Sequence, residues 1–307
     1  MNYKVAIIGF GYWGPKLSRN FHNSKNFEIN YIIDNKKKNL NKAKLEYPFA
    51  KIANNHKIIK CENINLVVIS TPTFSHFKLA EYFLKKTNVL IEKPLALNSQ
   101  QVKKLEKIAK KHKNSIFVDY PFIFSGSINY LKKVTKNKKF GKLIQFESFR
   151  EQAPVRDDAD VVWDLGVHDV SILQYLLNSK PLKITSTKFK TGTNKLIDTA
   201  YINMKYSNNL NVFIKNSWIS PIKIRRIVLK YQRAIIICDE NEPIYKIKIY
   251  TKKKGINLLY NVEIPDIDLS EPLFNLVEYI AKCLKKNTNI IFNNSFNLKI
   301  TKILEKI

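Results

Sequence analysis

Lys4-Val5-Ala6-Ile7-Ile8-Gly9-Phe10-Gly11-Tyr12-Trp13-Gly14 decides the reading of the N-terminal half of the chain. Its first part is a short apolar run of strand length, and its second is Gly-x-Gly-x-x-Gly. The residues that follow, Tyr12 to His22, carry a helical pattern. In such a strand–turn–helix unit each glycine has a separate task. Gly9 permits the tight turn, Gly11 lets a pyrophosphate approach the backbone, and Gly14 lets the helix pack on the strand. Free N–H groups at the start of the helix then face an anion. Asp34 lies twenty residues after Gly14, at the end of a second apolar run, where a carboxylate can accept hydrogen bonds from ribose hydroxyls. These features predict a dinucleotide site, with Phe10, Tyr12 and Trp13 completing the turn. The charge of Asp34 opposes a 2′-phosphate and favours NAD. Lys36 and Lys37 can turn toward such a phosphate, so NADP stays open.

Outward from this segment, apolar runs at Glu28–Ile33, Leu66–Ser70, Val89–Ile91 and Ile116–Val118 alternate with helical patterns near Ser75–Lys86 and Ser99–His112. Alternation of this kind predicts a parallel sheet covered by helices, an α/β Rossmann domain. The pattern changes after Pro121. A helix near Ile128–Thr135 leads to a strand over Lys142–Arg150 and a second helix over Leu165–Leu177. From Lys183 to Val262 strands follow one another without a long helix, which predicts a mainly antiparallel sheet. Helices return near Pro272–Lys285 and Phe296–Ile307. The expected organisation is a Rossmann domain over 1–121 and an α+β domain with a large, mainly antiparallel sheet over 122–307, serving substrate binding and oligomerisation.

Composition narrows the partners. The chain has 307 residues, 45% of them hydrophobic, which is enough for two cores. Its formal charge of +28 invites a nucleic-acid reading, yet of 53 basic residues only Arg19, Arg150, Arg156, Arg225, Arg226 and Arg233 are arginine. Arginine is the residue suited to bidentate phosphate and base recognition. Runs such as Lys36-Lys37-Lys38 and Lys252-Lys253-Lys254 read as solvated surface, and no nucleic-acid partner is expected. Cys61, Cys238 and Cys283 are odd in number and far apart, as for reduced thiols in the cytoplasm. No spacing suits a metal site. Met1-Asn2-Tyr3-Lys4 runs straight into the first strand, with no room for a secretory leader, and no apolar stretch has the length of a membrane span.

Further along stand Ser70-Thr71-Pro72 with His76, then Glu92-Lys93-Pro94, then Trp163-Asp164-Leu165-Gly166-Val167-His168-Asp169. With the glycine turn, these motifs resemble the glucose-fructose oxidoreductase and inositol dehydrogenase family (Gfo/Idh/MocA). The resemblance covers the N-terminal domain and the start of the second. It implies cofactor contacts from Ser70, Thr71, Pro72, His76, Glu92 and Lys93, and a catalytic group of Lys93, Asp164 and His168. His168 is the implied acid/base, Lys93 the polariser of the substrate oxygen, and Asp164 the orienting group. Asp164 and His168, four apart, would share a helical face. Ser171 stands where the family often has an aspartate, which points away from the polyol dehydrogenases. The segment Arg150–Arg156 resembles members tied to nucleotide-sugar metabolism, making Arg150 and Arg156 anion contacts and Tyr120 a pocket wall. The implied activity is hydride transfer between NAD and a ring hydroxyl or ketone of a nucleotide-linked sugar. Alternatives are a free sugar or inositol as substrate, and a noncatalytic NAD-binding regulator. A homodimer or homotetramer is expected.

Overall fold

The computed structural model describes residues 2–137, 139–152, 159–191, 195–252, 260–289, 291–292 and 295–307. They divide into two compact units. The first comprises Met1–Pro121 and Glu271–Lys302; the second comprises Phe122–Ser270 and Ile303–Ile307.

The first unit is built on six parallel strands: β1 (Tyr3–Ile8), β2 (Phe27–Ile33), β3 (Lys51–Ala53), β4 (Leu66–Ile69), β5 (Asn88–Glu92) and β6 (Ile116–Asp119). Their order is β3-β2-β1-β4-β5-β6. β4, β5 and β6 are apolar along nearly their whole length because helices cover both faces of such a sheet. Val67, Val68, Leu90 and Phe117 are fully buried. The helices are α1 (Gly14–Asn23), α2 (Lys37–Glu46), α3 (Thr73–Phe83) and α4 (Ser99–His112). Strand order reverses between β1 and β4, and ligands of such sheets bind beyond the carboxyl ends of the strands at that point.

A fifth helix of this unit comes from far along the chain. α7 (Pro272–Lys286) buries Leu273, Leu276, Val277 and Ile280. The Arg19 guanidinium donates to Glu271, and Ser24 Oγ and Asn26 Nδ2 donate to Glu278. Asn289 Nδ2 donates to the Ile116 carbonyl at 3.0 Å, and the Phe117 and Tyr120 rings pack on Phe292. The expected second domain of 122–307 is therefore corrected at its end. An apolar helical face announces that a helix is buried but not against what, and most of 271–302 completes the first unit.

The second unit carries eight strands: β7 (Leu143–Glu151), β8 (Lys183–Phe189), β9 (Thr199–Lys205), β10 (Asn211–Ser217), β11 (Ile224–Tyr231), β12 (Ile235–Asp239), β13 (Ile247–Lys252) and β14 (Tyr260–Glu263). Their order is β14-β13-β12-β11-β7-β10-β9-β8, and every pair is antiparallel except β7 with β10. One face buries Phe146, Ile202, Val212, Ile214 and Leu229. Two helices belong to this unit, α5 (Gly126–Asn137) and α6 (Val167–Leu177), and a short turn of π-helix over Val162–Gly166 runs into α6. The remaining helix, α8 (Phe296–Leu304), ends the chain, and Ser186 Oγ donates to the carbonyl of Ile307.

Candidate active site

At the end of β1 the three glycines meet three different surroundings. A Cβ on Gly9, whose φ is +96°, would stand 2.5 Å from the Ser70 carbonyl oxygen, and one on Gly14 would stand 2.2 Å from the Gly9 carbonyl oxygen. Only glycine fits either place. A Cβ on Gly11 would meet nothing within 4 Å. Two glycines thus close the turn against β4 and α1, while the third leaves open space above the N-terminus of α1. Ser70 Oγ donates to the Gly9 carbonyl at 2.8 Å.

Asp34 is buried at the end of β2. Its Oδ2 accepts from the Phe10 N–H at 2.6 Å and its Oδ1 from the Lys36 N–H at 2.8 Å. The Phe10 amide is committed to this carboxylate, leaving the amides from Gly11 onward to face an anion. Each oxygen keeps a second lone pair for a hydroxyl. The Lys36 backbone, rather than its side chain, engages Asp34. Tyr12 is exposed, and the Lys16 ammonium lies 3.6 Å from the centre of its ring and 4.3 Å from that of Trp13. These residues suit a dinucleotide: an open cradle at Gly11, helix-terminal amides and a carboxylate at the next strand end.

The other residues expected around the cofactor divide by exposure. Pro72 is exposed, and Thr71 Oγ1 lies 2.6 Å from Ser75 Oγ. His76 is 1% exposed, with Nδ1 2.8 Å from the Pro94 carbonyl oxygen and Nε2 2.8 Å from that of Thr71. It clips the loop after β4 to the turn after β5, so the expected cofactor contact of this side chain becomes a positioning role. Lys93 is buried at that turn. Glu92, one residue earlier, is buried beside Asp119, its register partner on β6. Burial, followed by the charge of Asp119, pushes the Glu92 carboxyl well above the usual carboxylate range, against the opposing pull of Lys93. Asp119 is also raised, chiefly by burial. Tyr120 is 1% exposed among Phe292 and Phe296. It packs in the aromatic core of the first unit.

In the second unit Asp160 Oδ1 accepts from the N–H groups of Val162 and Trp163, both at 3.0 Å, and so starts the π turn. Asp164 lies within that turn and accepts from Trp218 Nε1 at 3.1 Å. His168 follows in the first turn of α6, its ring edge-on to Phe122 with centroids 5.0 Å apart. Ser171 Oγ donates back to the His168 carbonyl. Beneath them Asp169, 0% exposed, accepts from Ser148 Oγ at 2.8 Å, Arg150 Nε at 3.0 Å and Asn216 Nδ2 at 2.7 Å. Arg150 lies over the Phe122 ring at 4.2 Å and is 2% exposed. Its Nε is committed to a buried ion pair that fastens α6 to the sheet. Arg156 lies outside the described residues. Sequence reasoning missed Asp119, Phe122, Asp169, Asn216 and Trp218. Only for Asp119 was a signal present: like Glu92, it is an acid ending an apolar run.

Among the described residues there is no group of three metal-ligating side chains, and no helix is long and apolar enough to cross a membrane. Residues 3–120 match the oxidoreductase family with an NAD-binding Rossmann fold, and residues 128–241 match the GFO/IDH/MocA C-terminal domain. A 2,7-anhydro-N-acetylneuraminate hydratase of Mediterraneibacter gnavus is 23% identical over 223 residues, spanning 66% of this chain and 58% of that protein. A myo-inositol 2-dehydrogenase of Thermotoga maritima is 23% identical over 246 residues, spanning 76% of this chain and 71% of that protein. The matched stretch thus spans less than two thirds of the first of these relatives. In fold, the chain is similar to a UDP-N-acetylglucosamine 3-dehydrogenase of Acidithiobacillus ferrooxidans, with a TM-score of 0.87, 18% identity, and coverage of 100% and 97% of the two chains.

Proposed function

Since the chain belongs to the GFO/IDH/MocA oxidoreductases, with their NAD-binding Rossmann domain, we propose that it moves a hydride between NAD and a ring carbinol, or the matching ketone, of a nucleotide-linked sugar. The observation that carries this reading is the cradle at the end of β1, closed at Gly9 and Gly14 and open at Gly11. NAD, when bound there, supplies the hydride acceptor. The chain must then take up the hydroxyl proton and hold the oxygen as charge develops on it. In this reading His168 takes the proton, Lys93 stabilises the oxygen, and Asp164, held by the Trp218 indole, orients the sugar. The relative named as a myo-inositol dehydrogenase supports a second reading, a free polyol or sugar. The presence of Lys93, Asp164 and His168 together supports an enzyme over a regulator. A homodimer or homotetramer is part of the proposal, formed through the outer face of the large sheet, where Phe213 and Tyr201 are 43% and 45% exposed.

Nucleotide sugars and free polyols assayed by NADH absorbance test the substrate class. Lys93→Met and His168→Ala should each lower turnover by about a hundredfold to ten-thousandfold and keep NAD binding. Near-normal turnover in both variants would overturn the assignment, and equal loss of NAD binding in both would make them cofactor or structural residues.

A further inference from the structure

Phe122 opens the second unit. Its carbonyl accepts from the Ser125 N–H at 3.0 Å and from Ser125 Oγ at 2.9 Å, which fixes the main chain. The ring is held by other means. It meets the His168 imidazole at 80° with centroids 5.0 Å apart, the edge-to-face arrangement that aromatic pairs prefer. Over its face, 4.2 Å from the ring centre, lies the Arg150 guanidinium. The quadrupole of a ring attracts a cation placed there, and the attraction grows as water is excluded. Water is excluded here: the Arg150 side chain is 3% exposed, and its Nη1 has no hydrogen-bond acceptor among the described residues. Together with Asp169, the ring face compensates this buried charge. Asp169 in turn sets the guanidinium, accepting from Nε at 3.0 Å. Arg225, the register partner of Arg150 on β11, places a second guanidinium 5.3 Å from the same ring centre while its Nη2 donates to Gln152.

The helix that carries His168 fixes where the imidazole sits, but not which way it faces. The torsion that turns a histidine ring is broad and roughly two-fold, whereas a base must aim one nitrogen at the proton it takes. Whatever its nitrogens bond to, a ring packed against the imidazole narrows that torsion. We propose that Phe122 is a positioning residue for His168: its ring, held by the Arg150 guanidinium that Asp169 sets in place, restrains the swing of the imidazole. The inference rests on the proposed role of His168 as proton acceptor for its meaning, but not for the ring contact that tests it. Asp169 then reaches its neighbour His168 by two routes, along the helix backbone and through Arg150 and Phe122.

The experiment uses the full-length protein. The chain has five histidines, so the ring signals of His168 can be identified in NMR spectra of histidine-labelled protein by their loss in H168Q. In F122L those signals should move or broaden while the signals of the other four histidines stay in place. The parent should show a through-space cross-peak between the His168 and Phe122 ring protons, and R150M/D169L, which removes the cation from the ring, should weaken or lose it. Turnover supplies the second readout. F122L and F122A should each lower kcat by about tenfold to a hundredfold, the scale of a small misplacement, with KM and NAD binding kept within about threefold of the parent. Combined with F122L, R150M/D169L should cost less than the product of the two separate losses, since both act on one contact. Unmoved His168 signals in F122L, or a cross-peak unchanged in R150M/D169L, would overturn the proposal. So would near-parental kcat in both Phe122 variants, or a loss of NAD binding equal to the loss of kcat. Should F122A fail to fold, F122L, which keeps most of the bulk, carries the test. Should R150M/D169L fail, R150K replaces it with the same expectation, because it keeps a cation beside Asp169 but not the planar group. An absence of turnover on every sugar would sink the proposed function alone, because the ring signals do not depend on catalysis.

Discussion

Replacing Asp169 by alanine should be among the most destabilising single changes available in the second unit. The carboxylate is 0% exposed and accepts three hydrogen bonds, from Ser148, Arg150 and Asn216. The Arg150 side chain that pairs with it is 3% exposed. Alanine leaves that guanidinium charged, dry and without its partner, and breaking one side of a buried pair costs about 3–5 kcal/mol. A domain of about 150–250 residues loses about 2–4 °C of melting temperature per kcal/mol, so a downward shift of about 6–20 °C is expected by calorimetry. Replacing both partners, in R150M/D169L, removes the stranded charge together with its counter-charge. Such exchanges are often neutral or stabilising, so this variant should melt well above D169A. A loss below about 1 kcal/mol in D169A, or a double variant no better than D169A, would refute the view that the ion pair fastens α6. His168 adjoins Asp169 and touches Phe122, on which Arg150 lies, so D169A should also lower turnover measured well below its melting range.

Gly11→Val should leave the melting temperature of the first unit nearly unchanged, since its Cβ meets nothing, yet weaken NAD binding measured by calorimetric titration; Gly14→Ala, forced to 2.2 Å from the Gly9 carbonyl, should lower the melting temperature itself. Asp34→Ala should narrow the preference for NAD over NADP in paired titrations, and tighter binding of NADP by the unaltered protein would contradict that role. The raised Glu92 carboxyl makes the folded state hold a proton that the unfolded chain releases once pH passes the ordinary carboxylate range. Above that range, and until the folded pair itself ionises, stability should fall as pH rises, by about 1.4 kcal/mol per pH unit for one proton. Below it the contribution is fully present. Urea unfolding of E92Q should lack this slope, and an equal slope in E92Q and parent would refute the view that burial beside Asp119 keeps the Glu92 carboxyl protonated.

The parts of the fold legible in the sequence are those where one residue type has one physical reason. Gly9 and Gly14 admit no side chain, and the runs in β1, β4, β5 and β6 are too apolar for anything but a sheet covered on both faces. The elements left out, α2 and β3, lack such a signature: α2 buries Ala43 alone, and β3 is three residues long. Asp34 was readable because its place at a strand end is set by the glycine turn. His76, Tyr120 and Arg150 were harder, because a polar residue beside a motif reads the same whether it faces a ligand or, like His76, a backbone carbonyl, like Tyr120, an aromatic core, or, like Arg150, a buried carboxylate. The network around Asp169 was invisible for another reason: its donors lie on β7 and β10, and only the sheet register brings Ser148, Arg150 and Asn216 under one helix.

The return of Glu271–Lys302 to the first unit sets an order on biosynthesis. Residues 1–121 emerge from the ribosome without the helix that packs on α1 and β6, and the partners of Arg19, Ser24 and Asn26 have not yet been made. At about 5–20 residues per second, the intervening chain of about 150 residues takes roughly 8–30 s to appear. During that interval the nascent Rossmann sheet has an apolar flank open to chaperones or to another nascent chain, and by its end the strands β7–β14 and the helices α5 and α6 of the second unit have been made. The unit that begins first therefore waits for a segment made about 150 residues later, and a release of the chain before Glu271 would leave it incomplete.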